Sequence, residues 1–250
     1  MTNHILVERP EDHPGVQIIR FNRPDKKNAI TRAMYTVMTE ALTSADGNPD
    51  IRATVLLGGE GCFSAGNDLG DFLAASMGGG MPREIIDFLY ALVRAEKPVV
   101  SGVDGLAIGI GTTMHLHCDL TVCSARSQFR TPFVDLALVP EAASSLLAPR
   151  IMGAQRAFAM LAAGEPFSGE EAREAGLVFR VVEPHLVEAQ TLDLASKLAA
   201  KPPEALRISR DLIRGDREQI IARMDEEARH FASRLQSAEA RAAFEAFMRR

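Results

Sequence analysis

Short β-branched runs alternate with helical patterns along the first three quarters of the chain. The runs are VQIIRF at 16–21, ATVLL at 53–57, PVVSGV at 98–103, LTVC at 120–123 and LVFRVV at 177–182. Helical patterns over 31–45, 82–95 and 110–117 separate most of them, and a less regular helical stretch starts near 144. Strands that alternate with helices predict an α/β core with largely parallel strands. Residues 98–116 carry Asp104 as their only charge, yet glycines, threonines and a serine interrupt them. That pattern predicts a buried strand–loop–helix passage and not a membrane span.

After about residue 185 the strands stop. Helices are expected over 186–200, over 204–214 after Lys201-Pro202-Pro203, and over 217–236 after Gly215. The last of these sets Ile220, Met224, Glu227/Ala228, Phe231 and Leu235 on one stripe, and a final short helix carries Ala240, Ala243, Phe244 and Phe247. Such a stripe must cover either the chain's own core or a neighbouring subunit. The expected division is a core over 1–195 and a helical region over 196–250. Ser168 and Glu171 form a capping box that opens a helix ended by Gly176.

Charge and cysteine usage narrow the partners. The net charge is −5 with no Lys/Arg block, which argues against nucleic acid or an anionic membrane as a partner. Cys62, Cys118 and Cys123 form no CxxC pair, so reduced thiols in a cytoplasmic setting are expected. The first residues show no signal-peptide pattern, and the last three are not a peroxisomal signal.

Three segments invite a chemical reading: NRPDKKNAI at 22–30, FSAGNDL at 63–69 and DGLAIGIGTT at 104–113. Small residues let a ligand approach the backbone, and a helix start leaves N–H groups unpaired. One N–H from each of the last two segments could hold a carbonyl oxygen that becomes an enolate. Glycines that merely serve tight turns would look the same in either segment alone.

The order RPxxKNA, FSAGNDL, GxAxGxG, AREAGLV resembles the crotonase (enoyl-CoA hydratase/isomerase) superfamily. The resemblance extends through KPPEALRISRDLI and SAEARAAFEAFM. It implies a spiral ββα core, with a C-terminal α-helical oligomerisation region that builds trimers, often paired into hexamers. It implies an acyl-CoA thioester substrate, coenzyme A entering as part of that substrate, and no metal or redox cofactor. By position, the carbonyl donors would be Ala65 and Ile110, beside Gly109. Gly66, Asn67, Asp68 and Leu69 would lie along the CoA moiety, with Lys26 and Ala29 near its nucleotide end. Ordinary surface charge explains Lys26 equally well.

The resemblance also bears on the reaction. Hydratases of the superfamily carry two glutamates where this chain has Thr113 and Phe133. Adding water needs a base and a proton donor, so hydration is not expected. Between Lys97 and Arg150 the acidic residues are Asp104, Asp119, Asp135 and Glu141. Asp104 and Asp119 read as structural anchors, and Asp135 as a partner for Arg130 or Arg150. Glu141 stands in LVPEAASSL, which resembles the PExxSS segment of the branch that moves a double bond from the 3- to the 2-position. There it would be the base, with Leu138, Val139 and Leu146 as an apolar wall and Ser144 and Ser145 supplying helix-start hydrogen bonds. Another reaction of the superfamily, or a catalytically silent acyl-CoA-binding member, are the alternatives. His115 and His117 lack metal-site spacing and read as packed.

Overall fold

The alternation resolves into two sheets in a computed structural model, which describes residues 3–71 and 81–248. The larger sheet orders its strands β1 (Ile5–Glu8), β2 (Val16–Phe21), β3 (Ala53–Leu57), β5 (Val99–Val103), β7 (Leu120–Ser124) and β10 (Arg180–Val182). Its pairings are parallel except for the β1–β2 hairpin edge. The smaller sheet orders β4 (Cys62–Ser64), β6 (Leu106–Ile108), β8 (Gln128–Arg130) and β9 (Phe167–Ser168). Successive strands therefore step from the large sheet to the small one: β3 to β4, β5 to β6, β7 to β8. Each step leads on to a helical passage, and the unit repeats as a ββα spiral.

Packing follows from the pleat. Side chains alternate between faces along a strand, so Ile18 and Val55 point one way while Ile19 and Leu56 point the other. The first face joins Val16, Ile18, Ala53, Val55, Leu57 and Val100 to Leu192, Ala195 and Ala199. The second faces the main core, with α1 (Arg32–Gly47) and α2 (Arg83–Arg94) laid over it. Strands β3 and β5 are buried throughout, which is why they carry no charge and no polar-apolar alternation.

The remaining helices are α3 (Ile110–Thr113), α4 (Ser144–Leu161), α5 (Gly169–Glu174), α6 (Val187–Ala199), α7 (Pro203–Arg214), α8 (Arg217–Leu235) and α9 (Ala238–Met248). Helix α6 runs across residue 195 and covers the sheet on both sides of that point, so the chain leaves the sheet only near Lys201-Pro202. Arg210 and Arg214 then pin α7 to Asp119, at 2.8 and 3.0 Å. The stripe of α8 enters the main core through Ile220, Met224, Phe231 and Leu235, with Ala240 and Phe244 of α9 beside it. The chain thus covers that stripe itself. The most exposed large apolar side chains among the described residues are instead Leu212 and Ile213 of α7, 80% and 86% exposed. Among the described residues no helix is long and apolar enough to cross a membrane.

Candidate active site

Two backbone segments touch where the sheets turn. Gly66 has φ +88°, and a Cβ there would stand 2.8 Å from the Ile108 carbonyl oxygen. A Cβ on Gly111 would stand 2.9 Å from the Ser64 carbonyl oxygen. Only glycine lets FSAGNDL and AIGIG pack this closely. The buried amide of Asn28 secures the first segment from behind, donating to the Cys62 and Phe63 carbonyls, each at 3.1 Å.

This packing decides which N–H groups are free. The Ala65 N–H donates to the Lys27 carbonyl at 2.9 Å, so Ala65 cannot be the donor expected of it. Gly66 N–H is turned onto the Ser64 hydroxyl at 3.1 Å. Asn67 bridges Ile30 in parallel, and that bridge uses the Gly66 carbonyl and the Asp68 N–H, at 2.8 and 2.9 Å. The N–H of Asn67 therefore faces the other way, with no acceptor among the described residues. Ile110 opens α3, behind a Gly109 whose own N–H is bonded to Arg130. Its N–H is one of the orphans every helix start leaves. Asn67 and Ile110 thus offer one free donor from each segment.

One turn along α3 from Ile110, the Thr113 hydroxyl donates to Glu141 Oε1 at 2.5 Å. Glu141 is 2% exposed, and its Oε2 is buried without a partner among the described residues. Burial pushes its carboxyl up to about 8; the Thr113 bond works against this, and the charge of Glu227 adds to it. The loop that carries it turns through Ala142 and Ala143, both left-handed at φ +61° and +52°. His117 donates from Nε2 to the Ala142 carbonyl at 2.8 Å. Burial holds that imidazole near 4, so it is neutral. On the other side the buried Tyr35 hydroxyl donates to Asn67 Oδ1 at 2.6 Å. Burial first, then the charge of Glu141, drives the Tyr35 phenol well above its ordinary value. A buried carboxyl with one oxygen free thus stands beside two unpaired N–H groups.

Residues 11–250 match the family described as enoyl-CoA hydratase/isomerase. The chain belongs to the enoyl-CoA hydratase/isomerase family. It is 36% identical over 244 residues to rat "Enoyl-CoA delta isomerase 2", covering 94% of this chain and 62% of that protein. It therefore spans less than two thirds of that relative's length. It is 31% identical to "4-chlorobenzoyl coenzyme A dehalogenase-2" of an Arthrobacter species, over 93% of this chain and 89% of the relative. Its fold superposes on the structure of Pseudomonas aeruginosa OdaA with TM-score 0.94 and 39% identity, across the whole of both chains.

Within this family's frame, several residues singled out in the sequence do other work. Phe133 is buried in the main core and starts a 3₁₀ turn. Thr113 is more than a missing carboxylate, since it holds Glu141. The Asp68 carboxylate is bound by Arg23 at 2.6 Å and accepts the Gly70 and Asp71 N–H groups. Partial burial pushes it up, and those partners hold it below its ordinary value. It braces the turn. Leu69 packs against the core, Lys26 is exposed on the 3₁₀ turn Pro24–Lys26, and the Ala29 carbonyl is bonded to Arg23. Asp135 pairs with Arg130 at 2.9 Å, and Asp104 with Arg126. His115 is packed against Ser101, with Nδ1 2.9 Å from its hydroxyl. Among the described residues no group of three or more His, Cys, Asp or Glu side chains is placed to hold a metal ion.

Proposed function

We propose that the protein is an isomerase of acyl-CoA thioesters that moves a double bond from the 3- to the 2-position. The thioester oxygen accepts hydrogen bonds from the N–H groups of Asn67 and Ile110. Glu141 Oε2 takes a proton from C2, and the two donors stabilise the enolate that forms. The same carboxyl then returns the proton to C4, and the double bond lies between C2 and C3. Coenzyme A belongs to the substrate, and no step calls on a metal or redox group. Gly66 and Leu69 flank the thioester, while Lys26 and Ala29 border the path toward the nucleotide end.

The observation that carries this reading is the Thr113–Glu141 hydrogen bond. It puts a single base one helical turn from a donor, at the position where a hydratase would need a carboxylate. Hydration requires two groups, whereas proton transfer between C2 and C4 requires one. The names of the rat relative and of the matched family agree with isomerisation. We also propose a homotrimer or a pair of trimers, in which Leu212 and Ile213 of α7 meet a second copy.

The test is turnover of 3-enoyl-CoA to 2-enoyl-CoA by the parent and by Glu141→Gln. Loss of the only base is expected to lower kcat by about ten-thousand-fold, with binding retained. Asp135→Asn, which removes an exposed carboxylate, stays within a few-fold. A Glu141→Gln protein that isomerises as fast as the parent refutes the assignment.

A further inference from the structure

Helix α4 starts without a cap of its own. Its N-cap is Ala143, which has no side-chain oxygen, and the chain arrives there through two left-handed alanines. The missing acceptor comes from the C-terminal region. Glu227 of α8 accepts from the Ser145 N–H at 2.9 Å and from the Ser145 hydroxyl at 2.5 Å, through one oxygen, Oε1. Its Oε2 is buried without a partner among the described residues, as is Glu141 Oε2. Glu227 sits at a core-facing position of α8, 6% exposed, where its neighbours on the stripe are Met224 and Phe231. A buried carboxylate is costly there, and an apolar residue would satisfy packing alone.

We propose that Glu227 is a positioning residue for Glu141: from α8 it closes the first turn of α4, and so holds the Ala142–Ala143 corner on which the base is carried. This rests on the reading of Glu141 as the base. The two carboxyls have different company. Glu227 is faced by the two Ser145 donors and by Arg223 of its own helix, whose guanidinium also reaches the Ser145 hydroxyl at 3.3 Å. Glu141 is faced by Thr113, by the Tyr35 phenol, by the neutral His117 behind Ala142, and by Glu227. Burial raises the Glu227 carboxyl as well, against the Ser145 and Ala143 donors and the Arg223 cation, and the charge of Glu227 opposes ionisation of Glu141. A helix distant in sequence thus holds the base in place, and its carboxylate adds to the rise that burial produces in Glu141.

The test uses Glu227→Gln, which keeps an oxygen for Ser145 and removes the charge, and Glu227→Ala, which removes both. Titration of the Glu141 carboxyl is read by carbon-13 NMR, assigned with Glu141→Gln, so that it does not depend on turnover. In Glu227→Gln the Glu141 titration and the acid limb of kcat/KM are expected to move down together by roughly one pH unit. In Glu227→Ala the freed corner is expected to lower kcat about ten- to a hundredfold, with KM changed far less. If both variants keep the parent's titration and kcat, the proposal is overturned. Loss of stability alone, with titration and kcat unchanged, makes Glu227 a helix cap and overturns it equally. If Glu141→Gln keeps its turnover, the functional reading fails instead, and the NMR titration still shows whether Glu227 governs Glu141.

Discussion

Replacing Glu141 by glutamine removes the base and also a pH-dependent load on the fold. The folded carboxyl titrates at about 8, against 4.5 for an ordinary glutamate. A group whose folded value is raised lends stability that is complete below its unfolded value and disappears as pH rises through the folded one. For Glu141 that window runs from about pH 4.5 to about pH 8. At 1.36 kcal/mol per pH unit, the parent is expected to lose about 4 kcal/mol between pH 5 and pH 9 relative to the glutamine variant. Comparing the two proteins cancels the titrating groups that are not coupled to Glu141, along with any fixed cost of the amide. The assay is urea unfolding of both at equal protein concentration across that range, read by circular dichroism. The difference in unfolding free energy should grow steadily with pH and flatten above 8. Parallel curves would refute the buried, proton-holding state of Glu141.

Three other outcomes follow from the same geometry. Thr113→Val removes the hydrogen bond that favours the ionised base, so the acid limb of kcat/KM should move above pH 8 and activity at pH 7 should fall about tenfold; an unmoved limb counts against the contact. Gly66→Ala would put a methyl 2.8 Å from the Ile108 carbonyl at φ +88°, so kcat should drop about a hundredfold as the two donor segments separate. Normal kinetics there would mean that the segments need not touch. Leu212→Glu with Ile213→Glu should yield monomers in light scattering, and an unchanged assembly would place the interface elsewhere.

Much of this was legible in the chain. The buried strands of the large sheet announce themselves by short runs rich in β-branched and apolar residues, and Ser168–Glu171 by its capping pattern. The small sheet does not, because strands of two or three residues such as Gln128–Arg130 show no periodicity. Strand β10 is likewise shorter than LVFRVV suggests, since the N–H groups of Leu177 and Val178 bond back to Ala172 at the end of α5. In the site, the Ile110 N–H lies at the start of α3 and Glu141 is buried beside Thr113. The Ala65 N–H is already taken by the Lys27 carbonyl, which motif position alone cannot show. Asn67 becomes a donor only once Ile30 fixes the bridge. Tyr35 carried no signal, being an ordinary apolar-face residue of α1. Glu227 carried a faint one, a charge on an otherwise apolar stripe.

The central claim is that one buried carboxyl carries the proton from C2 to C4. A 3-enoyl-CoA deuterated at both C2 hydrogens tests it directly, with the product analysed by mass spectrometry for the position of the label. Because Glu141 is 2% exposed and its Oε2 has no partner among the described residues to pass the label to, a measurable share of the deuterium should appear at C4 of the 2-enoyl product. Glu141→Gln should abolish that transfer. Deuterium transfer that survives in Glu141→Gln would contradict the account.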